Sequence, residues 1–185
     1  MRPVLKQQVK GLSVTFEHVF KTLFDQGIPV YVIGGTVRDV LLGVPVNKIK
    51  DVDMAFGTSS AEMIQIANKE GWKVPFHSMN GLVQLGDQMA DLHLEGKSIN
   101  ALNNDMETLA NCPKSIGNDL HVEALYRDFT CNSLCYDPIN EVIIDPTGNG
   151  VEDAINKVLR IPARLGTDQK TYFKWDQWLN GIFHS

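Results

Sequence analysis

The sequence has few cysteines, no long apolar run and no excess of basic residues. Its three cysteines, Cys112, Cys131 and Cys135, form no CxxC pair, so they predict neither a disulfide framework nor a zinc site. No apolar stretch approaches the roughly 18–20 residues of a membrane-spanning helix. The N-terminal MRPVLKQQVK also lacks the hydrophobic stretch of a signal peptide. These absences favour a cytoplasmic location and no membrane partner.

Charge and composition limit the remaining classes of protein. The net charge is −5, from 17 basic and 22 acidic side chains, which excludes nucleic-acid binding through a broadly basic surface. Any RNA contact is therefore expected to be local. A length of 185 residues with 43% hydrophobic side chains is typical of one globular domain, and there is no repeat or linker. We expect a single domain over residues 1–185.

Helical and strand patterns alternate in the first half of the chain. Apolar residues at helical spacing predict a helix over 12–24, and the short β-branched run before two glycines predicts a buried strand over 30–33. A helix follows over 36–43. The acidic–apolar alternation of 51–56 indicates a strand with one polar face. The capping box Ser59-x-x-Glu62 predicts a helix that ends at Gly71.

Strand and helix patterns also alternate in the second half of the chain. Strands are predicted in 72–76, 82–85 and 89–95, and the polar, patternless stretch 96–117 is a candidate loop or mobile lid. A helix around 127–136, a strand over 141–145, a helix from about 151 and a strand over 158–161 follow. Trp175 and Trp178 predict a tail helix docked on the sheet, with base stacking as the alternative. This alternation predicts an α/β or α+β domain.

Two aspartates are the strongest chemical signal. Asp51 and Asp53 stand two residues apart on a predicted strand, so their carboxylates project from the same face. Paired anionic oxygens on a rigid element suit a hard divalent cation such as Mg²⁺. A solvated strand face is the alternative, because short motifs match often by chance.

A glycine turn lies just upstream of these aspartates. Gly34 and Gly35 follow the predicted strand and precede a helix, where backbone N–H groups can approach a phosphate. Arg38 lies in the first turn of that helix, where a guanidinium can bind phosphate oxygens through two hydrogen bonds. The alternative is a tight turn beside a surface arginine. Together with the paired aspartates, the turn favours nucleotide chemistry.

Three blocks of sequence, in order, carry a family resemblance. GGTVRD at 34–39 with LLG at 41–43 and DVD at 51–53 resembles the GGxVRDxLLG…DxD pattern of class II tRNA nucleotidyltransferases and bacterial poly(A) polymerases. RDFTCNSL at 127–134 resembles their RRDFTxNAL block, and 144–161 resembles the third block. The resemblance covers about residues 31–161 and leaves 162–185 as a divergent tail. It implies the catalytic head alone, with the α+β polymerase-β-like nucleotidyltransferase fold, a mixed sheet flanked by helices.

The resemblance also implies an activity: the transfer of AMP or CMP from ATP or CTP to a tRNA-like RNA 3′ end, with release of pyrophosphate. Asp51 and Asp53 would be catalytic and hold two Mg²⁺ ions about 3.5–4 Å apart. Asp91 is favoured as a third metal-binding carboxylate, with Asp128 as the alternative. The residues implied to bind the nucleotide are Gly34, Gly35, Arg38, Asp39, Arg127, Asp128 and Asn132.

Departures from the family pattern keep other functions open. The second block begins Tyr126-Arg127 where relatives have two arginines, and 168–172 lacks the arginine of the base-selecting helix. No basic surface for RNA is evident, so a helical RNA-binding partner subunit is an expected partner. The alternatives to the RNA-directed enzyme are a non-catalytic nucleotide-binding or interaction module and nucleotidyl transfer to a non-RNA acceptor.

Overall fold

A mixed β-sheet with helices against it organises the described part of the chain. The computed structural model describes residues 1–49, 51–77, 82–91, 124, 127–162 and 171–174. Its helices are α1 (Arg2–Leu5), α2 (Phe16–Phe24), α3 (Gly35–Leu41), α4 (Ser60–Glu70) and α5 (Gly150–Ile155), with 3₁₀ turns at Val46–Lys48 and Thr130–Asn132. Its strands are β1 (Val30–Ile33), β2 (Met54–Phe56), β3 (Phe76–His77), β4 (Leu82–Leu85), β5 (Gln88–Asp91), β6 (Cys135–Asp137), β7 (Val142–Ile144), β8 (Val158–Arg160) and β9 (Thr171–Lys174).

The strand order of the main sheet is β3-β4-β5-β2-β1-β6-β7. The pair β2 and β5 is parallel, with Met54 opposite Ala90 and Ala55 opposite Asp91. The other neighbouring pairs in this sheet are antiparallel. Strands β8 and β9 form a separate antiparallel pair. The predicted α+β class with a mixed sheet is confirmed, and none of the helices in the described ranges has the length and hydropathy of a transbilayer segment.

Two helices begin directly after an N-cap residue whose side chain accepts a backbone hydrogen bond. The Thr15 hydroxyl accepts a hydrogen bond from the His18 N–H at 3.2 Å, so α2 begins at Phe16 and not at the predicted residue 12. Ser59 caps α4 by accepting from the Glu62 N–H at 3.2 Å. That helix ends at Gly71, which is left-handed with φ 69°. Both helices bear out the predicted elements, with the first shortened.

The core lies between the helices and one face of the sheet. The largest buried side chains there are Phe20, Phe56, Leu23, Met54 and Met63. Because side chains alternate along a strand, the neighbours of these strand residues face the other side. A smaller apolar cluster of Ile33, Ala55 and Cys135 covers that second face, which also carries the candidate site described below.

One helix prediction in the second half is wrong, and one strand was not predicted. Residues 127–136 form the 3₁₀ turn Thr130–Asn132 and then strand β6, because Cys135 pairs with Ile33 on one side and with Ile144 on the other. In the tail, residues 171–174 form β9, in which Phe173 pairs with Leu159 of β8. Pairing partners distant in the sequence decide both cases. The candidate lid 96–117 and the two tail tryptophans lie outside the described residues.

A contact between two glycines joins the N-terminal segment to the turn between β4 and β5. Gly86 has φ +61°, and a Cβ there would lie 2.4 Å from the Lys10 carbonyl oxygen. The Asp87 N–H donates to that same carbonyl at 2.7 Å. A Cβ on Gly11 would in turn lie 2.8 Å from the Asp87 nitrogen. Neither glycine has room for a side chain.

We expect Gly86→Ala to lower the free energy of unfolding by about 2–4 kcal/mol, because the methyl group must displace backbone atoms. Gly27→Ala is the matched control: Gly27 also has positive φ (+80°) but meets nothing within 4 Å. Its cost should be about 1 kcal/mol, from the backbone conformation alone. Urea unfolding measures both, and equal losses would contradict the packing argument.

Candidate functional site

Gly34 forms the turn on which the candidate site is built. It follows β1 and caps α3 with φ 74° and ψ −143°, a conformation that glycine adopts without strain. Its N–H donates to the Leu134 carbonyl at 2.9 Å. A Cβ on Gly34 would lie 3.3 Å from Asp53 Oδ2 and 3.8 Å from Arg127 Nη1. A carboxylate and a guanidinium therefore converge on the open side of this turn.

The paired aspartates precede β2 and are not part of it, which corrects their predicted place on the strand. The alternation nevertheless holds, because Asp51 and Asp53 are exposed while Val52 between them is buried. The Asp53 carbonyl accepts from the Ile33 N–H at 3.0 Å, and the Asp51 carbonyl accepts from the Thr36 hydroxyl at 2.8 Å. A backbone bond from β1 and a side-chain bond from α3 therefore fix the main chain of this segment.

The surroundings of Asp53 disfavour its charge. Partial burial is the main cause that raises the pKa of the Asp53 carboxyl; the Arg127 guanidinium lowers it, and the Asp51 carboxylate raises it further. Two neighbouring carboxylates, of which that of Asp53 is partly desolvated, form a donor set that suits a divalent cation. The residues present therefore fit the Mg²⁺ that the sequence suggested.

Among the side chains that the structure describes, no third carboxylate is grouped with this pair. Within the described ranges, no group of three His, Cys, Asp or Glu side chains is arranged to hold a metal ion. The backbone of Asp91 pairs in parallel register with Ala55, two residues beyond Asp53. Asp128 is exposed and contacts Asn132. Both assignments of a third metal ligand therefore stay predictions.

Arg38 is buried within the protein at only 5% exposure. Its Nε and Nη2 contact Asp39 Oδ1 at 2.8 and 2.7 Å, and its Nη1 donates to Asn132 Oδ1. Gly35 gives the guanidinium room, since a Cβ there would lie 3.3 Å from Arg38 Nη2. The Asn132 Nδ2 donates to Asp128 Oδ1 at 2.9 Å. The first and second sequence blocks thus meet through side chains.

The third block supports the second. Asp153 is 1% exposed, accepts from the Thr130 hydroxyl at 2.6 Å and accepts from Arg160 through Nε at 2.9 Å and Nη2 at 3.1 Å. A Cβ on Gly150 would lie 2.6 Å from the Thr130 carbonyl oxygen, so α5 packs directly on the 3₁₀ turn. The sequence pattern identifies this block without indicating a role for Asp153 or Arg160. The one sequence signal for their contact is that Asp153 and Arg160 lie within the same motif.

A small pocket opens on the second face of the sheet beside the turn. Its wall includes Ile33, Gly34, Ala55, Arg127, Asn132 and Cys135. Arg127 has no hydrogen-bond or ion-pair partner for its side chain among the described residues, and its charge acts on Asp53. Of the predicted site residues, Gly34, Asp53, Arg127 and Asn132 are therefore brought together here.

Cys131 lies behind the site with its thiol protonated. Burial raises the pKa of Cys131 to about 11 from its ordinary value of 9.0. Its predicted packing role agrees with this burial, and Cys135 is buried as well. Between pH 9 and 11 the unfolded chain loses this thiol proton before the folded chain does. The Cys131 contribution to the free energy of unfolding should therefore fall as pH rises through that range.

We expect neither Cys131 nor Cys135 to react with iodoacetamide in the native protein at pH 8, because both side chains are buried and burial also raises the pKa of the Cys131 thiol. Cys112 lies outside the described residues, so the test uses a Cys112→Ser background. Mass spectrometry should find both thiols modified only after unfolding in urea. Rapid labelling of Cys131 in the folded protein would refute its burial.

The mixed sheet and the glycine turn facing paired aspartates are the arrangement that the sequence resemblance implied, a polymerase-β-like nucleotidyltransferase head. A family model described as the poly A polymerase head domain matches residues 30–160. The chain belongs to this family.

Known relatives are similar over most of this chain. The CC-adding tRNA nucleotidyltransferase of Halalkalibacterium halodurans is 31% identical over 151 residues, which are 82% of this chain and 32% of that protein. The tRNA nucleotidyltransferase cca2 of Schizosaccharomyces pombe is 27% identical over 180 residues, 88% of this chain and 36% of that one. The chain spans about a third of the length of these curated relatives.

A solved structure shows the same fold. The CCA-adding enzyme of Bacillus stearothermophilus, in complex with CTP, superposes with a TM-score of 0.55 at 22% identity. The match covers 79% of this chain and 32% of that one. The predicted polymerase-β-like fold is thereby confirmed.

Proposed function

We propose that this chain is the nucleotidyl-transferring head of a tRNA nucleotidyltransferase. It moves CMP or AMP from CTP or ATP to the 3′-hydroxyl of an RNA and releases pyrophosphate. The observation that carries the proposal is the convergence of Asp53 and Arg127 on Gly34, with Asp51 two residues away. The relatives named above, two of them tRNA nucleotidyltransferases, support tRNA as the acceptor.

Asp51 and Asp53 would hold Mg²⁺. When bound there, the metal lowers the pKa of the attacking hydroxyl and neutralises charge on the leaving pyrophosphate. The Ile33 N–H and the Thr36 hydroxyl hold the main chain of the two aspartates through their carbonyl oxygens. The mutual repulsion of the two carboxylates supports a cation site, because a divalent ion removes it. Asp91 stays our preferred third ligand.

Other groups of the chain would bind and orient the nucleotide. Arg127 presents its guanidinium beside Asp53, where it would contact phosphate oxygens, and Gly34 leaves this side of the turn open. Arg38 and Asp39 hold each other at the start of α3. Asp128 is the exposed carboxylate of the second block. We assign this group to the phosphates and the sugar.

This chain, which forms the head and, in our proposal, a single domain, has no excess of basic residues for tight RNA binding on its own. The net charge of −5 does not favour an extended contact with phosphates. The matched region is only 32% and 36% of the length of the two curated relatives. We infer that a helical RNA-binding partner, on another subunit or elsewhere in the same protein, holds the acceptor. A cytoplasmic location stays a prediction.

The direct test is a transfer assay with the purified protein, Mg²⁺ and α-labelled CTP or ATP in separate reactions. Each reaction contains tRNA lacking its terminal CCA or a generic RNA of similar length. Asp51→Ala/Asp53→Ala is the inactive control. We expect label to enter tRNA with the wild type only, and the labelled nucleotide names the base.

Two other results separate the alternatives. Mg²⁺-dependent binding of CTP or ATP without transfer would indicate that the partner or another acceptor is needed. Absence of both transfer and nucleotide binding would contradict the proposal and leave a non-catalytic interaction module. Calorimetry with each nucleotide, with and without Mg²⁺, distinguishes these two results.

A further inference from the structure

The amide of Asn132 lies between a buried cation and an exposed anion. Its Oδ1 accepts from Arg38 Nη1, and its Nδ2 donates to Asp128 Oδ1 at 2.9 Å. A guanidinium only donates hydrogen bonds and an ionised carboxylate only accepts them. The two partners therefore determine which end of the amide faces each of them. The orientation of the Asn132 amide is therefore fixed by a partner at each end.

Each partner is also held from a second direction. Arg38 contacts Asp39 Oδ1 through Nε and Nη2. Asp128 Oδ1 accepts a second bond, from the Phe129 N–H at 2.8 Å. The series Asp39, Arg38, Asn132 and Asp128, here called the Asn132 relay, links α3 to the 3₁₀ turn across 94 positions of sequence. Within the described ranges, Asp128 Oδ2 has no hydrogen-bond partner and is available to a ligand.

The relay lies directly beside the candidate site. The main-chain carbonyl oxygen of Asn132 would lie 3.8 Å from a Cβ on Gly34. This is the same turn that the side chains of Asp53 and Arg127 approach. The neutral amide lies between Arg38 and Asp128, so the two charged groups do not pair through it directly. A direct ion pair between them would occupy the carboxylate of Asp128. The amide thereby orients the guanidinium without consuming the charge of Asp128.

We propose, resting on the function proposed above, that Asn132 is a positioning residue that orients Arg38 and Asp128 toward the nucleotide. This role is additional to the nucleotide binding that the family resemblance implies for Asn132. The arrangement predicts that both bonds of the amide matter, and not only the bond to Arg38.

Two substitutions separate these bonds. Asn132→Ala removes both, whereas Asn132→Asp keeps an acceptor for Arg38 but places a second negative charge against Asp128. We expect each to raise the Kd for CTP in the presence of Mg²⁺ by about tenfold, since hydrogen bonds to charged groups contribute at this level. Asn68→Asp, at an exposed position of α4, adds the same charge away from the site and is the control.

An exchange of the two side chains separates positioning from stability. In Asn132→Asp/Asp128→Asn the amide and carboxylate change places, so a hydrogen bond forms again with unchanged net charge. We expect the exchange to recover the unfolding equilibrium that Asn132→Asp loses, about fivefold or more. The affinity for CTP should stay low, because the carboxylate is no longer at position 128. Urea unfolding and calorimetry on the full chain measure the two quantities.

Each outcome decides a different claim. If the wild type binds neither CTP nor ATP with Mg²⁺, the proposed function fails and the positioning role fails with it. If the wild type binds and Asn132→Ala and Asn132→Asp bind equally well, only the positioning role is wrong. Recovery of both stability and affinity by the exchange would make Asn132 merely structural. No recovery of stability would show that the bond to Asp128 does not form.

Discussion

Asp53→Asn is expected to reduce nucleotidyl transfer about 10³-fold or more without unfolding the protein. The substitution removes one of the two carboxylates that would hold Mg²⁺, and metal stabilisation of phosphoryl-group transfer contributes several kcal/mol to the rate. The measurement is the initial rate of label entering tRNA under saturating CTP or ATP.

The same substitution should change stability in the opposite direction. The pKa of Asp53 is raised in the folded protein, so its negative charge opposes folding at neutral pH. Replacing Asp53 by the neutral Asn removes this charge and should not lower the free energy of unfolding. We expect a Tm equal to or slightly above that of the wild type. Stability attributable to this group is fully present below its ordinary pKa and falls as pH rises through the folded pKa.

Asp25→Asn is the matched control for both measurements. Asp25 caps the C-terminus of α2 and forms an exposed ion pair with Lys21 at 2.8 Å. It has no role in the candidate site, and an exposed ion pair contributes little to stability. It should retain wild-type transfer. Substantial transfer by Asp53→Asn, at unchanged circular dichroism, would refute the metal assignment.

Asp153→Ala is expected to cost about 3 kcal/mol of the free energy of unfolding. The carboxylate is buried and accepts bonds from Thr130 and from two nitrogens of Arg160. Its removal leaves the Thr130 hydroxyl without this acceptor and the guanidinium without its anion. Urea unfolding at neutral pH measures the loss.

The consequence of Asp153→Ala should reach the site. Thr130 begins the 3₁₀ turn that carries Asn132, so a loosened turn should also weaken CTP binding. Glu152→Ala, one residue earlier in α5 and exposed, is the control and should lose less than about 1 kcal/mol. Equal losses for the two variants would show that the bonds of Asp153 are not the source of its effect.

The elements that the sequence predicted well depend on neighbouring residues. Strand β1 was predicted with its observed bounds because a β-branched run meets two glycines. Helix α4 carries its cap and its stop, Ser59 and Gly71, within its own sequence. Local chemistry is sufficient where both ends of an element are specified by side-chain caps and glycines.

The elements predicted wrongly depend on distant residues. Cys135 and Tyr136 fall within the predicted helix 127–136, yet Cys135–Asp137 form an inner strand because Ile33 and Ile144 offer pairing on both sides. Strand β9 at residues 171–174, which was not predicted, depends on β8 in the same way. Pattern alone cannot supply a pairing partner that lies tens of residues away.

For the site, the sequence by itself determined the residue types and their order: a glycine pair, two aspartates in alternation, and the block that contains Arg127 and Asn132. The tertiary structure decided which of them face one another. It set Arg127 beside Asp53 at Gly34, and it turned Arg38 inward onto Asp39 and Asn132. The physical reason is that a side chain's partner depends on sheet pairing and burial, and these bring together charges that are far apart along the chain.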